Sequence, residues 1–306
     1  MASERYDVAV VGGGPAGLSA ALWLARYLHK VVVVDSGDPR NWETRGINGY
    51  LGHQGIRSPE LRRLGRSECE QYGAQFVSGI VDTAANETGE VFAICLRGGR
   101  IIEARRILLA IGIRDVWPDI PGLDQCYGET VHVCPDCDGY ETRDKKTIVI
   151  GTGRKAVGMA LALTTWTKEI VICTNGEPPD LKQELLDILK PLNIPVLDSA
   201  ITCVLSRNKE IRGVELEGGM SLDCERLYFA IGQYPSDDLG SQLGCKRDEI
   251  GRLVIDEHNH TSVRNVYAAG DVAGRAQLAI AAAASGAIAA VAIHASLVPE
   301  TRKLPD

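Results

Sequence analysis

The residues best suited to chemistry are two nearby cysteines, Cys134 and Cys137, with Asp138 directly after the second. A Cys-x-x-Cys spacing lets the two sulfurs close a small disulfide ring, and a helix that begins there favours the thiolate form. The Asp138 carboxyl adjoins the second sulfur, where it can exchange protons with a thiol. The motif therefore predicts a redox-active cysteine pair.

Three other interpretations of this pair stay open. A structural zinc site needs two more ligands; Cys126 and His132 are close in sequence, but no second Cys-x-x-Cys occurs. The pair could instead mark a thioredoxin-type domain, or consist of two unreactive buried thiols. We favour a redox pair that works with a flavin, because the chain also carries two dinucleotide-type glycine loops. His132 and His53 could serve as bases, but the favoured interpretation is that they are solvated or structural loop residues.

The first glycine loop follows a short apolar run, Val8 to Val11, which predicts a buried parallel strand. The loop itself reads Gly12-Gly13-Gly14-Pro15-Ala16-Gly17. A helix is expected over Leu18 to Tyr27 and a second strand over Val31 to Val34, which ends at Asp35. This strand, glycine turn, helix, strand and acid make the layout of a dinucleotide site.

Each part of that layout has a physical task. Gly12 makes the tight turn, Gly14 lets the backbone approach a pyrophosphate, and Gly17 lets the helix pack on the strand. The N–H groups at the start of the helix attract phosphate. Asp35 can accept hydrogen bonds from ribose hydroxyls.

A second glycine loop, with Gly151, Gly153 and Ala156 at its small positions, follows a predicted strand over Thr147 to Ile150. A helix is expected over Val157 to Trp166 and a closing strand over Ile170 to Cys173. The loop predicts a nicotinamide-type dinucleotide unit.

The end of that closing strand lacks the expected selectivity residues. It continues as Thr174-Asn175-Gly176, with neither an acid for a ribose nor arginines for a 2′-phosphate. Arg154 and Lys155 could meet phosphates only as a partial substitute. Binding of NAD(P)H and mere retention of the fold both stay open.

Two strands that end in glycine and precede prolines indicate crossings between domains. They end at Gly112 and Gly232, before Pro118 and Pro235 respectively. We predict an α/β chain of two Rossmann-like three-layer dinucleotide-binding domains, the second inserted in the first. The outer domain comprises residues 1–117 and 239–306, and the inner domain comprises residues 118–238.

Near the end of the outer domain, Gly270-Asp271 follows a short strand and precedes an Ala-rich segment, Leu278 to Leu297. Asp271 can bind a polyol chain there, while the start of the helix faces an electron-accepting ring. The Ala-rich segment is about long enough to span a bilayer. Its interruption by Ser285, Gly286 and His294 favours a buried core helix instead.

The composition excludes several classes of protein. With 306 residues, 45% of them hydrophobic, the chain can bury a sizeable core, so wholesale disorder is excluded. Lys and Arg number 33 against 40 Asp and Glu, a net charge of −7 that argues against nucleic acid as the main partner. Nine scattered cysteines without a secretory signal predict reduced thiols and a cytoplasmic location.

Taken in this order, the motifs resemble the low-molecular-weight thioredoxin-reductase-like flavoproteins over nearly the whole chain. The larger glutathione-reductase-like enzymes match poorly, since their redox pair follows the first glycine loop. The resemblance rests on Gly12-Gly13-Gly14-Pro15-Ala16-Gly17, Cys134-Pro135-Asp136-Cys137-Asp138, the second glycine loop and Gly270-Asp271.

The resemblance implies that FAD binds in the outer domain. The run from Gly12 to Gly17 would hold its pyrophosphate, Asp35 its adenosine ribose, and Asp271 its ribityl chain. The backbone of Val81, in a strand expected over Phe76 to Val81, would meet adenine. Further FAD contacts are implied for Asn48, Gly112, Gly270, Gln277 and Leu278.

The resemblance also implies the chemistry. Cys137 would face the flavin, Cys134 would attack the substrate disulfide, and Asp138 would act as acid and base. Thioredoxin or a similar dithiol protein would be the substrate, no metal would be needed, and the chain would form a homodimer. The linkers near Pro118 and Pro235 would let the two domains rotate.

The departure at Thr174-Asn175-Gly176 puts NADPH preference in doubt, since members that use NADPH carry a His-Arg-Arg-type cluster there. Members without that cluster include disulfide reductases linked to ferredoxin and dithiol oxidases that pass electrons to oxygen. The residues around the cysteine motif look closer to these divergent members. A disulfide reductase is the leading interpretation, a dithiol oxidase the second, and a non-catalytic flavin-binding redox sensor the third.

Overall fold

The structure is a computed structural model that describes residues 4–42, 44–86, 90–274 and 276–303. The helices are α1 (Pro15–Arg26), α2 (Ser58–Gln71), α3 (Pro135–Asp138), α4 (Gly153–Leu163), α5 (Gln183–Leu189), α6 (Leu239–Gln242) and α7 (Ala279–Leu297). Short 3-10 helices span Asp124–Cys126, Tyr140–Thr142, Lys190–Leu192 and Glu300–Arg302.

The strands alternate with these helices over residues 4–78 and 131–197, and several strands follow one another over residues 81–115 and 201–235. They are β1 (Glu4–Val11), β2 (Val31–Asp35), β3 (Gln75–Ser78), β4 (Val81–Ala85), β5 (Phe92–Leu96), β6 (Ile101–Leu109), β7 (Ile113–Asp115), β8 (Val131–His132), β9 (Thr147–Ile150), β10 (Ile170–Cys173), β11 (Val196–Leu197), β12 (Ile201–Arg207), β13 (Glu210–Leu216), β14 (Ser221–Asp223), β15 (Arg226–Phe229), β16 (Gln233–Pro235) and β17 (Val266–Ala268).

The chain divides into two compact units, which confirms the two-domain Rossmann-like fold class. The first unit comprises Met1–Trp42, Tyr50–Arg114 and Tyr234–Asp306, and the second comprises Glu43–Gly49 and Asp115–Gln233. The prediction places residues 43–49 in the outer domain, whereas Glu43–Gly49 group with the second unit in the structure.

The first unit is built on a sheet ordered β3-β2-β1-β6-β5-β4, with β17 also paired to β6. Strands β3, β2, β1, β6 and β17 run parallel, and β5 and β4 join as antiparallel strands. Val8 to Val10 are fully buried, as continuous apolar runs are in a parallel sheet covered on both faces. The sheet thus brings the loop after β1 and the loop after β17 to the same carboxyl edge.

The single strand expected over Phe76 to Val81 is wrong. The chain leaves β3 after Ser78, where the Gly79 N–H donates to the Asp35 carbonyl oxygen at 3.0 Å. Val81 instead begins β4 and pairs with Leu96 of β5 in an antiparallel hairpin.

The second unit contains a parallel sheet ordered β11-β10-β9-β15-β8 and an antiparallel sheet ordered β12-β13-β14. Strands β7 and β16, which lie at the two crossings between the units, pair with each other. Both helices after the glycine loops begin earlier than expected: α1 starts at Pro15, directly after its N-cap Gly14, and α4 starts at Gly153. Helix α4 also ends at Leu163, before the expected Trp166.

Helix α7 is long and apolar enough to cross a membrane by length and composition, a test that core helices also pass. In this structure α7 packs against α1. Gly286 permits the close approach, because a β-carbon at this position would collide with the backbone of Ala16. Ala289, Ala290 and Ile293 of α7 are fully buried. One face of α7 is therefore buried in the core as the sequence predicts, while Ile288 and Val291 on the helix are exposed.

Candidate functional site

The first glycine loop needs its glycines for two different reasons. Gly12 has φ +107°, and a β-carbon on it would collide with the Ala110 carbonyl. A β-carbon on Gly17 would collide with the Gly12 carbonyl oxygen. A β-carbon on Gly14 would meet no protein atom within 4 Å. Packing therefore explains Gly12 and Gly17, whereas the open space at Gly14 fits the approach of a pyrophosphate to the start of α1.

Asp35 is held at the end of β2 by two neighbours. The Gly13 N–H donates to Asp35 Oδ1 at 3.2 Å, and the Arg62 guanidinium forms an ion pair with Asp35 Oδ2. Arg62 also donates from Nε to the Gly13 carbonyl oxygen at 3.3 Å. Arg62 lies on α2, outside every motif, so the sequence offered no signal for its position beside the predicted ribose acid.

Asp271 lies after β17 and shares a partner with Gln277. Arg40 Nη1 is 3.5 Å from Asp271 Oδ2 and donates to Gln277 Oε1 at 3.0 Å. Leu278 is the N-cap residue of α7. The preceding Gly270 has φ +77°, and its N–H donates to Ser285 Oγ at 3.2 Å. The first unit thus brings together Asp271, for which the resemblance implies a contact with the ribityl chain, and Gln277 and Leu278, for which it implies backbone contacts with the flavin ring.

Two other predicted FAD contacts lie in the first unit. Gly112 follows β6 with φ +66° and open space around its α-carbon. Val81 is buried at the start of β4. Its backbone contact with adenine stays a prediction.

Cys134 and Cys137 are joined by a disulfide, with 5.3 Å between their α-carbons. Cys134 is the N-cap residue of α3, and its Sγ accepts a hydrogen bond from the Cys137 N–H at 3.2 Å. Pro135 at the first position of α3 fixes the helical φ that brings the sulfurs together. No cluster of three His, Cys, Asp or Glu residues suited to a metal ion occurs in the described parts of the chain.

Asn48 contacts the redox pair directly. Its Nδ2 donates to the Cys137 carbonyl oxygen at 3.1 Å. This contact, together with the hydrogen bond from the Arg45 N–H to the Gly128 carbonyl oxygen, connects residues 44–49 to the second unit. The family resemblance implies a flavin contact for Asn48, and the hydrogen bond to Cys137 is an additional contact with α3.

His132 does not lie in a loop, contrary to the expectation. It ends strand β8 and is only 6% exposed. Its Nδ1 is 3.4 Å from Asp138 Oδ2. Its ring lies 5.3 Å from the ring of Tyr228, between centroids. Burial raises the pKa of Tyr228, whose hydroxyl shares a hydrogen bond of 2.8 Å with Thr142 Oγ1.

The second glycine loop is covered by its own chain. The Gly153 N–H, at the start of α4, donates to the Pro179 carbonyl oxygen at 2.9 Å. An Asp180 carboxylate oxygen lies 3.3 Å from the point that a β-carbon on Gly153 would occupy. Gly151 and Ala156 pack against each other, as a dinucleotide loop requires. The fold of the loop is retained, and a carboxylate lies beside the first residue of α4, the helix end that would receive phosphate in a dinucleotide site.

The candidate cations of this loop have other partners. Arg154 Nη1 is 3.3 Å from Glu184 Oε1, and Lys155 Nζ donates to the Ile231 carbonyl oxygen at 2.8 Å. At the end of β10, Asn175 Oδ1 accepts from the Ile201 N–H at 2.8 Å. Thr174 Oγ1 donates to the Glu177 carbonyl oxygen at 2.5 Å. These polar side chains bond to the protein's own backbone and side chains and do not line an open ribose site.

The sequence profile of pyridine nucleotide-disulphide oxidoreductases matches residues 6–286 of this chain. The chain belongs to the pyridine nucleotide-disulphide oxidoreductase family. It is an FAD-dependent disulfide oxidoreductase of the thioredoxin-reductase-like type, which confirms the resemblance found in the sequence. The open space at Gly14 agrees with this membership, and the FAD contacts of Gly14, Asp35 and Asp271 stay predictions.

Several relatives cover nearly the whole oxidoreductase. It is 27% identical to a protein named "Probable thioredoxin reductase" from Arthroderma benhamiae, over 97% of this chain and 81% of that protein. It superposes on the crystal structure of HlmI with a TM-score of 0.90 and 35% identity, covering 95% and 92% of the two chains. It superposes on thioredoxin reductase from Streptococcus pyogenes with a TM-score of 0.90 and 25% identity, covering 97% and 99%.

The remaining cysteines of this oxidoreductase are poor nucleophiles where they are buried. Burial raises the pKa of Cys69 and of Cys173 to about 12. It also raises the pKa values of Cys126, Cys224 and Cys245. Thiol chemistry in the native protein is therefore expected at Cys134 and Cys137.

Proposed function

We propose that this flavoprotein reduces the disulfide of a thioredoxin-type protein through Cys134 and Cys137, with electrons from a donor other than NADPH. The main support for this proposal is that Pro179 and Asp180 cover the second glycine loop at Gly153. A phosphate would there meet the Asp180 carboxylate and would have to displace the Pro179 carbonyl from the Gly153 N–H. Like charges at this range disfavour binding. Ferredoxin is the donor class that the resemblance suggests.

In this proposal the two sulfurs have different tasks. Cys137 faces the flavin, and its helix is held by the Asn48 amide. Cys134 attacks the substrate disulfide, and Asp138 exchanges protons with the sulfurs. Bound FAD supplies two-electron redox chemistry to the pair. The first unit holds FAD through the Gly12–Gly17 loop, Asp35 and Asp271.

The same covered loop favours a second candidate, a dithiol oxidase. If nicotinamide cofactors cannot deliver electrons, a dithiol substrate can deliver them through the cysteine pair, with oxygen as the final acceptor. The two candidates differ in the direction of electron flow. Rapid peroxide formation from a small dithiol in air supports the oxidase. Reduction of thioredoxin by reduced ferredoxin supports the reductase.

The test is an anaerobic titration of the FAD-loaded protein, followed by the absorbance of oxidised flavin. We expect neither NADPH nor NADH to bleach the flavin, whereas dithionite and excess dithiothreitol both do so. Cys134→Ser should abolish bleaching by dithiothreitol and leave bleaching by dithionite unchanged, because only the former passes through the pair. Rapid stoichiometric bleaching by NADPH would refute the proposed donor class.

A further inference from the structure

Among the described residues, His132 combines deep burial with an unsatisfied polar atom beside the redox pair. The residue is 6% exposed, and its Nε2 has no hydrogen-bond partner in the described part of the chain. Its other ring nitrogen lies 3.4 Å from Asp138 Oδ2. Buried polar side-chain atoms in folded proteins are nearly always paired, so an unpaired one calls for an explanation.

Packing does not supply that explanation. The imidazole lies against the Tyr228 ring, at 5.3 Å between centroids, and a phenyl ring could make a similar contact. Phenylalanine would also remove the unpaired nitrogen and its desolvation cost. The contact with the Asp138 carboxylate explains better why a polar side chain occupies this position.

We propose that His132 is a positioning residue that acts through Asp138, as the inner member of a His–Asp pair that stores one proton for thiol–disulfide exchange. In one arrangement the pair is imidazolium and carboxylate; in the other it is neutral imidazole and carboxylic acid. The proton moves between Nδ1 and Oδ2. This inference rests on the proposed role of Cys134 and Cys137 as the reacting sulfurs.

Reduction of the substrate disulfide to two thiols consumes two protons, and the His–Asp pair would deliver them one at a time. The Cys134 thiolate attacks the substrate disulfide; a Cys134–substrate bond forms, the substrate S–S bond breaks, and the departing thiolate takes a proton from Asp138. The Cys137 thiolate then attacks Cys134, the internal disulfide closes, and the second substrate thiolate takes a proton by the same route. The electron pair passes from the protein thiolates to the substrate. With a dithiol substrate every step runs in reverse.

Few other groups can take part in this titration. Asp138 faces His132 from α3, and Tyr228 faces it from β15. Burial raises the pKa of Tyr228, so its phenol stays neutral in the assay range. Glu141 and Arg226 are the remaining charges that act on Tyr228. Asp138, whose side chain is 22% exposed, is the member through which solvent can replace the proton.

The test compares His132→Phe, Asp138→Asn and the double variant. The rate of anaerobic flavin bleaching by dithiothreitol is measured by stopped flow across the pH range. Asp138→Asn should slow bleaching about 100-fold and His132→Phe about tenfold. The double variant should be no slower than Asp138→Asn, because His132 acts only through Asp138. The pH dependence of the rate should differ between His132→Phe and the wild type.

Controls separate this inference from the function on which it rests. Bleaching by dithionite should be the same in every variant as in the wild type. His258 is an exposed histidine of the first unit, and His258→Phe should be bleached by dithiothreitol at the wild-type rate. His132→Phe should unfold at no lower temperature than the wild type. A wild-type rate and pH profile in His132→Phe, or additive losses in the double variant, would overturn the pair. No dithiothreitol bleaching in the wild type would overturn the proposed role of the cysteines instead.

Discussion

Gly14 and Gly17 lie close together in one loop, but different partners require glycine at the two positions. At Gly17 the obstacle is protein backbone, the Gly12 carbonyl oxygen, which cannot move without opening the turn. At Gly14 the neighbouring space holds no protein atom within 4 Å. We therefore expect a side chain at Gly14 to obstruct bound FAD rather than the fold, and one at Gly17 to disturb the fold itself.

We expect Gly17→Ala to lower the free energy of unfolding by at least about 2 kcal/mol, because it forces the loop apart. Gly14→Ala should cost at most about 1 kcal/mol, the loss of a good N-cap residue. It should nevertheless weaken FAD binding at least about tenfold. Denaturant unfolding of the FAD-free protein and FAD titration of each variant measure these effects. Equal losses of stability in both variants would contradict this division.

At the scale of elements, the strands around the glycine loops are the most predictable part of the fold. Strands β9 and β10 have the expected bounds because short β-branched runs bounded by glycine or polar residues leave little choice. The β4–β5 hairpin escapes prediction because the turn after Ser78 interrupts an apparently continuous apolar run. Nothing in the sequence patterns marks the antiparallel β12–β14 sheet as a separate layer.

The site follows the same division. The spacing of the cysteine motif predicts the Cys134–Cys137 pair, which the structure joins in a disulfide, while the role of Asp271 stays a prediction. Arg40, Arg62 and Asp180 could not, because each reaches its place through a fold contact between segments distant in sequence or through an irregular loop. His132 stands close enough to Asp138 in sequence to have been paired with it. The burial of His132 at the end of β8, however, could not be predicted from the sequence.

The loop between β10 and α5 carries a prediction of its own. Asp180→Lys should strengthen NADPH binding at least about tenfold over the wild type, since it replaces a carboxylate beside the Gly153 N–H with a cation that attracts phosphate. Calorimetric titration of NADPH measures the change. Glu249→Lys, an equal charge change at an exposed residue of the first unit, is the control. Unchanged affinity in Asp180→Lys would show that the carboxylate does not exclude the nucleotide.

At the scale of the whole molecule, stability should depend on pH through a histidine pair in the first unit. His29 Nε2 lies 2.9 Å from His294 Nδ1 of α7, and Tyr27 stacks on His294. Burial lowers the pKa of His29, so the native state resists its protonation. The unfolded chain takes up that proton near the ordinary histidine pKa of about 6.5.

The unfolding free energy should therefore be highest above about pH 6.5 and fall as the pH drops through the lowered pKa of His29. The slope should be a fraction of about 1.4 kcal/mol per pH unit, because His29 is only half-buried. Denaturant unfolding at several pH values measures it, and His29→Phe should flatten it relative to His258→Phe. The same slope in His29→Phe would assign the effect to other groups.

Strand β17 and helix α7 belong to the first unit but follow the inserted second unit in the sequence. β17 can pair with β6 along Ile107–Leu109, and α7 can pack against α1, only after residues 115–233 have been synthesised. During translation, the first glycine loop and α1 are therefore made well before the strand that pairs with β6 and the helix that packs on α1. We expect FAD to bind late in biogenesis, and a nascent chain stalled before β17 to bind chaperones instead.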